Sequence, residues 1–177
     1  MVRLPFMAKF SPEMTTITDA TPKDIPAIAA LAEAIWWPTY RPIISEGQIR
    51  YMLDTIYSAP TLSRAMNDGS QRFLLLSVDS VPTGFASFGP REKEADVYKL
   101  HKLYVLPQTQ GQGLGKLLIE ATKERLRSIP VNKLDLNVNR ANPALGFYKK
   151  LGFKIIYEED IPIGQYWMND YVMRLIF

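Results

Sequence analysis

The chain has no cysteine and one histidine, His101, among its 177 residues. The first absence excludes disulfides, thiolate metal sites and a cysteine nucleophile, and it fits a reducing compartment. The second excludes any metal centre built on two imidazoles. A serine triad could use His101 only as its sole base. No apolar run approaches the length of a membrane span; Phe73-Leu74-Leu75-Leu76 is the longest bulky stretch in the middle of the chain. The opening MVRLPFMAKF is interrupted by Arg3, Pro5 and Lys9, so no secretory leader is expected. Charge excess is also small: 21 basic and 18 acidic residues leave +3, which does not point to a nucleic-acid partner. These absences predict a cytoplasmic protein with no nucleic-acid, membrane or metal partner.

What is present is the balance of an ordinary globule, 47% hydrophobic and 22% charged. The length suits one domain able to bury its own core. Pro5 and Pro12 bracket an aperiodic stretch. Residues 1–13 are therefore expected to be a flexible lead-in, and 14–177 the domain. A strand is predicted near Thr15–Asp19. A helix follows from Thr21-Pro22, carried by Ile25, Ile28, Leu31, Ala32 and Ile35 and stopped by Pro38. Ser45 caps a second helix with Ile49, Met52, Leu53 and Ile56 on one face, and a short third covers Leu62–Asn67. Strands are expected at Phe73–Val78, Gly84–Phe88, Val97–Val105, Leu134–Val138, Phe153–Tyr157 and Trp167–Phe177. Helices separate some of them, one after Gly115 and one from Asn142-Pro143 to Gly152. The order predicts one α/β (α+β) domain, with antiparallel pairs in the middle and a parallel pair around residues 100–138.

The most informative stretch is Gln110-Gly111-Gln112-Gly113-Leu114-Gly115-Lys116, after a strand ending Val105-Leu106-Pro107. Three glycines in five positions uncover backbone N–H groups at a helix start, where the partial positive charge favours a phosphate or pyrophosphate. Lys116 adds a full charge. The competing explanation is a tight strand-to-helix turn and nothing more. The spacing departs from both nucleotide fingerprints. The Rossmann loop needs G-x-G-x-x-G, and the P-loop needs four residues between its glycines and Ser or Thr after the lysine.

Gln110-x-x-Gly113-x-Gly115 resembles the acetyl-CoA loop of the GNAT superfamily of N-acetyltransferases. A second block, Asn139-Arg140-Ala141-Asn142-Pro143-Ala144-Leu145-Gly146-Phe147-Tyr148-Lys149-Lys150-Leu151-Gly152-Phe153, resembles that family's C-terminal signature. The resemblance follows element order over 14–177 and is sharpest over 97–157. Trp36-Trp37-x-Thr39-Tyr40 and Gln48-Ile49-x-Tyr51-Met52-Leu53 are similar, more softly, to the branch that includes PaiA-type polyamine acetyltransferases. The resemblance implies a single-domain GNAT fold: a mixed, mostly antiparallel sheet of six or seven strands flanked by helices, with a splayed central parallel pair. It also implies acetyl-CoA as co-substrate and a primary amine of a small molecule, polyamine-like or amino-acid-like, as acceptor. Transfer would be direct, in a ternary complex. A peptide or protein N-acetyltransferase and a non-catalytic acyl-CoA sensor are the alternatives.

Acetyl transfer needs a neutral amine, and a lysine-like amine of pKa about 10.4 is only roughly 0.04% neutral at pH 7. It also needs N–H donors for an oxyanion and an acid for the leaving thiolate. Tyr148 is the candidate acid, since a phenol stays protonated at pH 7; packing in the core is its other explanation. The resemblance assigns the acetyl and pantetheine contacts to the main chain of Leu103, Tyr104 and Val105. It assigns the rest of the coenzyme to Gln110, Gly111, Gln112, Gly113, Leu114, Gly115, Lys116, Asn139, Asn142, Ala144, Phe147 and Tyr148. Asn142 could instead be only a helix cap, and Asn139 only a strand end. His101 is a candidate base, placed by strand alternation on the face of Leu103 and Val105; a satisfied core histidine is the alternative. Glu33, Asp96, Glu158 and Glu159 are further bases that nothing in the sequence separates. Trp36, Trp37, Tyr40 and Tyr51 are candidate acceptor contacts through cation–π attraction, or ordinary core residues. A homodimer through the aromatic-rich final strand completes the expectations.

Overall fold

The Phe73–Leu76 run is buried on both sides of a sheet. Phe73 and Leu75 join one apolar core, Leu74 and Leu76 the other. A strand covered on both faces reads as an unbroken apolar run rather than an alternation. The computed structural model describes residues 14–177; the expected lead-in, residues 1–13, lies outside them. Seven strands form one sheet: β1 (Thr15–Asp19), β2 (Arg72–Val78), β3 (Val81–Arg91), β4 (Glu94–Val105), β5 (Lys133–Asn139), β6 (Lys154–Ile163) and β7 (Tyr166–Ile176). Their spatial order is β1-β2-β3-β4-β5-β7-β6. Every neighbouring pair is antiparallel except β4 and β5, which run parallel.

Helices α1 (Ile25–Tyr40), α2 (Glu46–Ile56) and α3 (Ala59–Asn67) cover one face. Ile28, Ile35, Ile49, Met52 and Leu62 are fully buried against Phe73 and Phe85. Each such side chain contributes roughly 1.5–3 kcal/mol by leaving water. Helices α4 (Leu114–Leu126) and α5 (Ala144–Lys150) cover the other face, over Leu118, Leu134, Phe153 and Met173. Ser45 and Ser58 cap α2 and α3, each accepting a backbone N–H through its hydroxyl.

Two local features depart from the sequence expectation, and both shape the site. Helix α1 does not stop before Pro38 but runs through it to Tyr40. Proline lacks an N–H, but in a final turn that removes one hydrogen bond and leaves the remaining helical geometry intact. The extra residues carry Tyr40 to the sheet. Strand β4 also breaks its alternation. Ser87 faces Lys102 and Phe88 faces Leu100, so His101 is the extra residue of a β-bulge. It therefore does not share the face of Leu103 and Val105 in the simple way that alternation predicts.

The parallel pair is short. β4 and β5 face each other only from Val97–Leu100 against Lys133–Leu136. Both strands continue, β4 held by β3 and β5 by β7. Their main chains part beyond Leu100 and Leu136 and leave a wedge open at the centre of the sheet.

Candidate active site

The wedge opens into a groove of about 900 Å³. Its walls are the end of β4, the loop into α4, the end of β5, the start of α5 and the last turn of α1. Parting the strands leaves main-chain N–H and C=O groups without a sheet partner, and such groups bind well only when a ligand or water meets them.

At one end stands the glycine loop. Gly111 and Gly113 have φ of +80° and +82°, a region that costs an L side chain roughly 1–2 kcal/mol. A Cβ at either would meet nothing within 4 Å, so open space lies over this backbone. Gly115 is small for a different reason: its Cβ would fall 3.1 Å from the Phe147 ring. Leu117 N–H makes the first bond of the α4 ladder, to Gly113. The N–H groups of the preceding turn are the ones a helix cannot satisfy internally. Together with Lys116 they form an anion cradle, so the residues present fit a diphosphate.

Along the groove lie Leu103, Tyr104, Val105, Gln110, Leu114, Ala144, Phe147 and Tyr148 from the expected set, with His101, Asn142 and Tyr40. Gln112, Asn139, Trp36, Trp37 and Tyr51 are outside its lining. Trp36 is buried against Tyr40, with ring centres 4.4 Å apart. The Trp37 indole N–H donates to Glu33 at 2.8 Å. Tyr51 packs on Tyr166. Asn142 accepts the Ala144 N–H at 2.9 Å just before α5, while Asn139 accepts the Ala141 N–H and shapes the turn before it. Sequence reasoning did not single out Asn137 or Val138, which also line the groove with Ala141 of the signature block. The end of β5 was their only signal.

Tyr148 sits on α5 with its ring against Phe147 and Phe153. Burial pushes its phenol above the ordinary range, and Tyr40 adds to this; the group is held protonated. The hydroxyls of Tyr40 and Tyr104 are raised in the same way, first by burial. His101 is exposed at the groove wall. The surrounding protein, then the cations Lys102 and Lys99, push its imidazole down to about 3. Asp170, buried behind the groove, is pushed up to about 6, first by desolvation. Among the described residues no cluster of three or more His, Asp or Glu is placed to hold a metal ion. No helix there is long and apolar enough to cross a membrane.

Comparison with known proteins agrees with this geometry. The acetyltransferase (GNAT) domain model matches residues 41–171. The chain is 27% identical over 153 residues to the uncharacterized N-acetyltransferase YuaI of Bacillus subtilis, covering 85% of this chain and 87% of that one. It is 42% identical to the peptidyl-lysine N-acetyltransferase YjaB of Salmonella typhimurium, but only over 60 residues, 33% of this chain and 38% of that one. Among solved structures it superposes on the PaiA N-acetyltransferase of Thermoplasma acidophilum in complex with coenzyme A. The TM-score is 0.78 at 26% identity, over 92% of this chain and 99% of that one.

Proposed function

The chain belongs to the GNAT acetyltransferase family, and from that premise we propose that it moves the acetyl group of acetyl-CoA directly onto a primary amine of a small molecule. The observation that carries this reading is the groove between the parted strands. It has an anion cradle at one end and a protonated phenol, Tyr148, in its wall. The cradle at Gly111–Lys116 would take the diphosphate. The unpaired edges of β4 and β5 would receive the pantetheine arm as an added strand does. Backbone near Tyr104 and Val105 would supply N–H donors to the acetyl oxygen. Tyr148 would give its proton to the departing sulfur.

The last turn of α1 supports a small acceptor. Pro38, Thr39, Tyr40, Pro42 and Ile43 wall the groove on the acceptor side. Polyamine-like and amino-acid-like amines are both small enough to enter beside these residues. The likeness to the coenzyme-A-bound PaiA structure supports coenzyme A as the carrier of the acetyl group.

Two measurements test the reading. Calorimetry with coenzyme A is expected to show saturable one-site binding. Thiol release from acetyl-CoA is expected with at least one of spermidine, free amino acids, aminoglycosides and a short lysine peptide. Direct transfer predicts intersecting initial-rate lines. Binding without thiol release for any amine would favour an acyl-CoA sensor, and activity confined to the peptide would move the acceptor class.

A further inference from the structure

Behind the groove lies a carboxyl group to which the reading above gives no role. Asp170 on β7 stands in register with Asn139 of β5 and Glu159 of β6. Only 5% of it is exposed, and its Oδ1 has no hydrogen-bond partner. Asn137, two residues before Asn139 on β5, also has an enclosed Oδ1 without a donor. Its side-chain nitrogen donates to Glu159 at 2.8 Å and lies close enough to favour the Asp170 carboxylate. Two neighbouring enclosed oxygens without a donor are costly, and native interiors rarely keep them unless a ligand or proton answers them. A protonated amine brings both the N–H donors and the positive charge that they lack.

The position is one step back from the groove. Asn137 and Tyr40 line the groove, and Asn137 lies on the same face of β5 as Asn139, the register partner of Asp170. We propose that Asp170 is the proton acceptor for the incoming amine, with Asn137 and Glu159 positioning its carboxylate. This rests on the acetyl-transfer reading above. The charged and titratable groups around it are Tyr40 from α1, Lys99 from β4, Arg140 after β5 and Glu159 from β6. Burial and Glu159 push the carboxyl up; Asn137, Lys99 and Arg140 pull it down, and the balance leaves it near 6. Such a group is ionised at neutral pH yet basic enough to accept a proton.

The ammonium gives one proton to the Asp170 carboxylate, and the freed nitrogen pair forms the C–N bond at the thioester carbonyl carbon. The C–S bond then breaks with its electrons on sulfur. Tyr148 protonates the thiolate and recovers a proton from the nitrogen as the amide forms. Asp170 releases its proton to solvent.

Asp170→Asn keeps the shape and removes the base. Coenzyme A affinity is expected to stay within twofold of wild type. For an alkyl amine at pH 7, kcat/KM is expected to fall on the order of 100-fold. The deficit shrinks at pH 9.5 and with an acceptor amine of low pKa, because such amines arrive neutral. The wild-type limb near pH 6 disappears. Asn137→Ser withdraws the amide that holds the carboxyl down, so it moves that limb to higher pH. Wild-type turnover in Asp170→Asn, an equal deficit at every pH and for every amine, or an unmoved limb in Asn137→Ser would each overturn the assignment. Failure of the wild type to take up coenzyme A would instead sink the acetyl-transfer reading itself.

Discussion

The hydroxyls of Tyr40 and Tyr104 meet at 3.3 Å, joining the last turn of α1 to the unpaired end of β4. This contact ties α1 to the strand whose backbone borders the groove. Tyr40→Phe removes it without changing ring packing on Trp36. The fold should lose about 1 kcal/mol or less. The amine KM should rise up to about tenfold, the worth of one hydrogen bond, while coenzyme A binding stays unchanged. Initial rates at varied amine, with calorimetry for the coenzyme, would separate these. Weakened coenzyme binding would place Tyr40 on the wrong side of the groove.

The coenzyme end can be tested at Gly113. At φ +82° it caps α4 with open space above it. Gly113→Ala should cost roughly 1 kcal/mol of strain, a Tm fall of about 2–4 °C in a chain of this size. The added methyl also intrudes over the bare N–H groups, so coenzyme A affinity should drop about tenfold, or roughly 1.4 kcal/mol. An unchanged Kd together with a lowered Tm would reduce the glycine to a turn former.

The elements and the glycine loop into α4 were legible because their signals are local: apolar periodicity, serine caps, and glycines clustered before a helix. Tyr40 reached the groove only because α1 tolerates Pro38 in its last turn, which a proline-stop rule conceals. The bulge at His101 arises from how β4 meets β3, and nothing in the local string Leu100-His101-Lys102 announces it. Asp170 and Asn137 are brought together by the register of β5 on β7. Register between distant strands is set by the whole sheet, so the string Asn169-Asp170-Tyr171 gave no hint of a site. Trp36 and Trp37 show the converse: conspicuous aromatics that the fold spends on packing and on a surface contact with Glu33.

Lys102 predicts a pH dependence of stability. It is buried, its amine donates to Gln71 at 2.9 Å, and desolvation, then Lys99, push it down to about 8. The unfolded chain holds its proton up to about pH 10.4. Between those values the fold binds fewer protons than the unfolded state, so this group makes stability rise with pH from about 8 to about 10. Below pH 8 the full penalty of the buried cation is present. Lys102→Met should therefore stabilise the protein at pH 7.5, by about 1–2 kcal/mol after the lost Gln71 bond. That advantage should shrink by pH 10. Urea melts at the two pH values measure it, and an advantage independent of pH would rule out the charge as its cause.

Removing Asp135 should instead destabilise the fold. The residue is fully enclosed, and Arg174 grips both of its oxygens at 2.6 and 2.9 Å while Arg91 takes one of them again. Asp135→Ala leaves Arg91 and Arg174 with Glu94 as their shared carboxylate, at a cost of about 3 kcal/mol. Tm should fall by about 10 °C, yet the variant should keep its kcat at low temperature, because Asp135 does not line the groove. A large kcat loss in well-folded protein would show that this pair also sets the spacing of β4 and β5.

Tyr148 carries the sharpest test of the chemistry. Its phenol is held protonated by burial, and among the described residues no partner engages its hydroxyl, so the proton is free for a group entering the groove. Removing only that oxygen, in Tyr148→Phe, leaves the contacts with Phe147 and Phe153 in place. Stability should change by less than about 1 kcal/mol, and coenzyme A should bind as before, since the cradle is on α4. What should fall is kcat, by about 100-fold, the usual worth of a placed general acid. Because the lost step is protonation of sulfur, the deficit should be the same for every amine the enzyme accepts. A deficit that varied from amine to amine would instead make Tyr148 a contact for the acceptor, and an unchanged kcat would return it to the core.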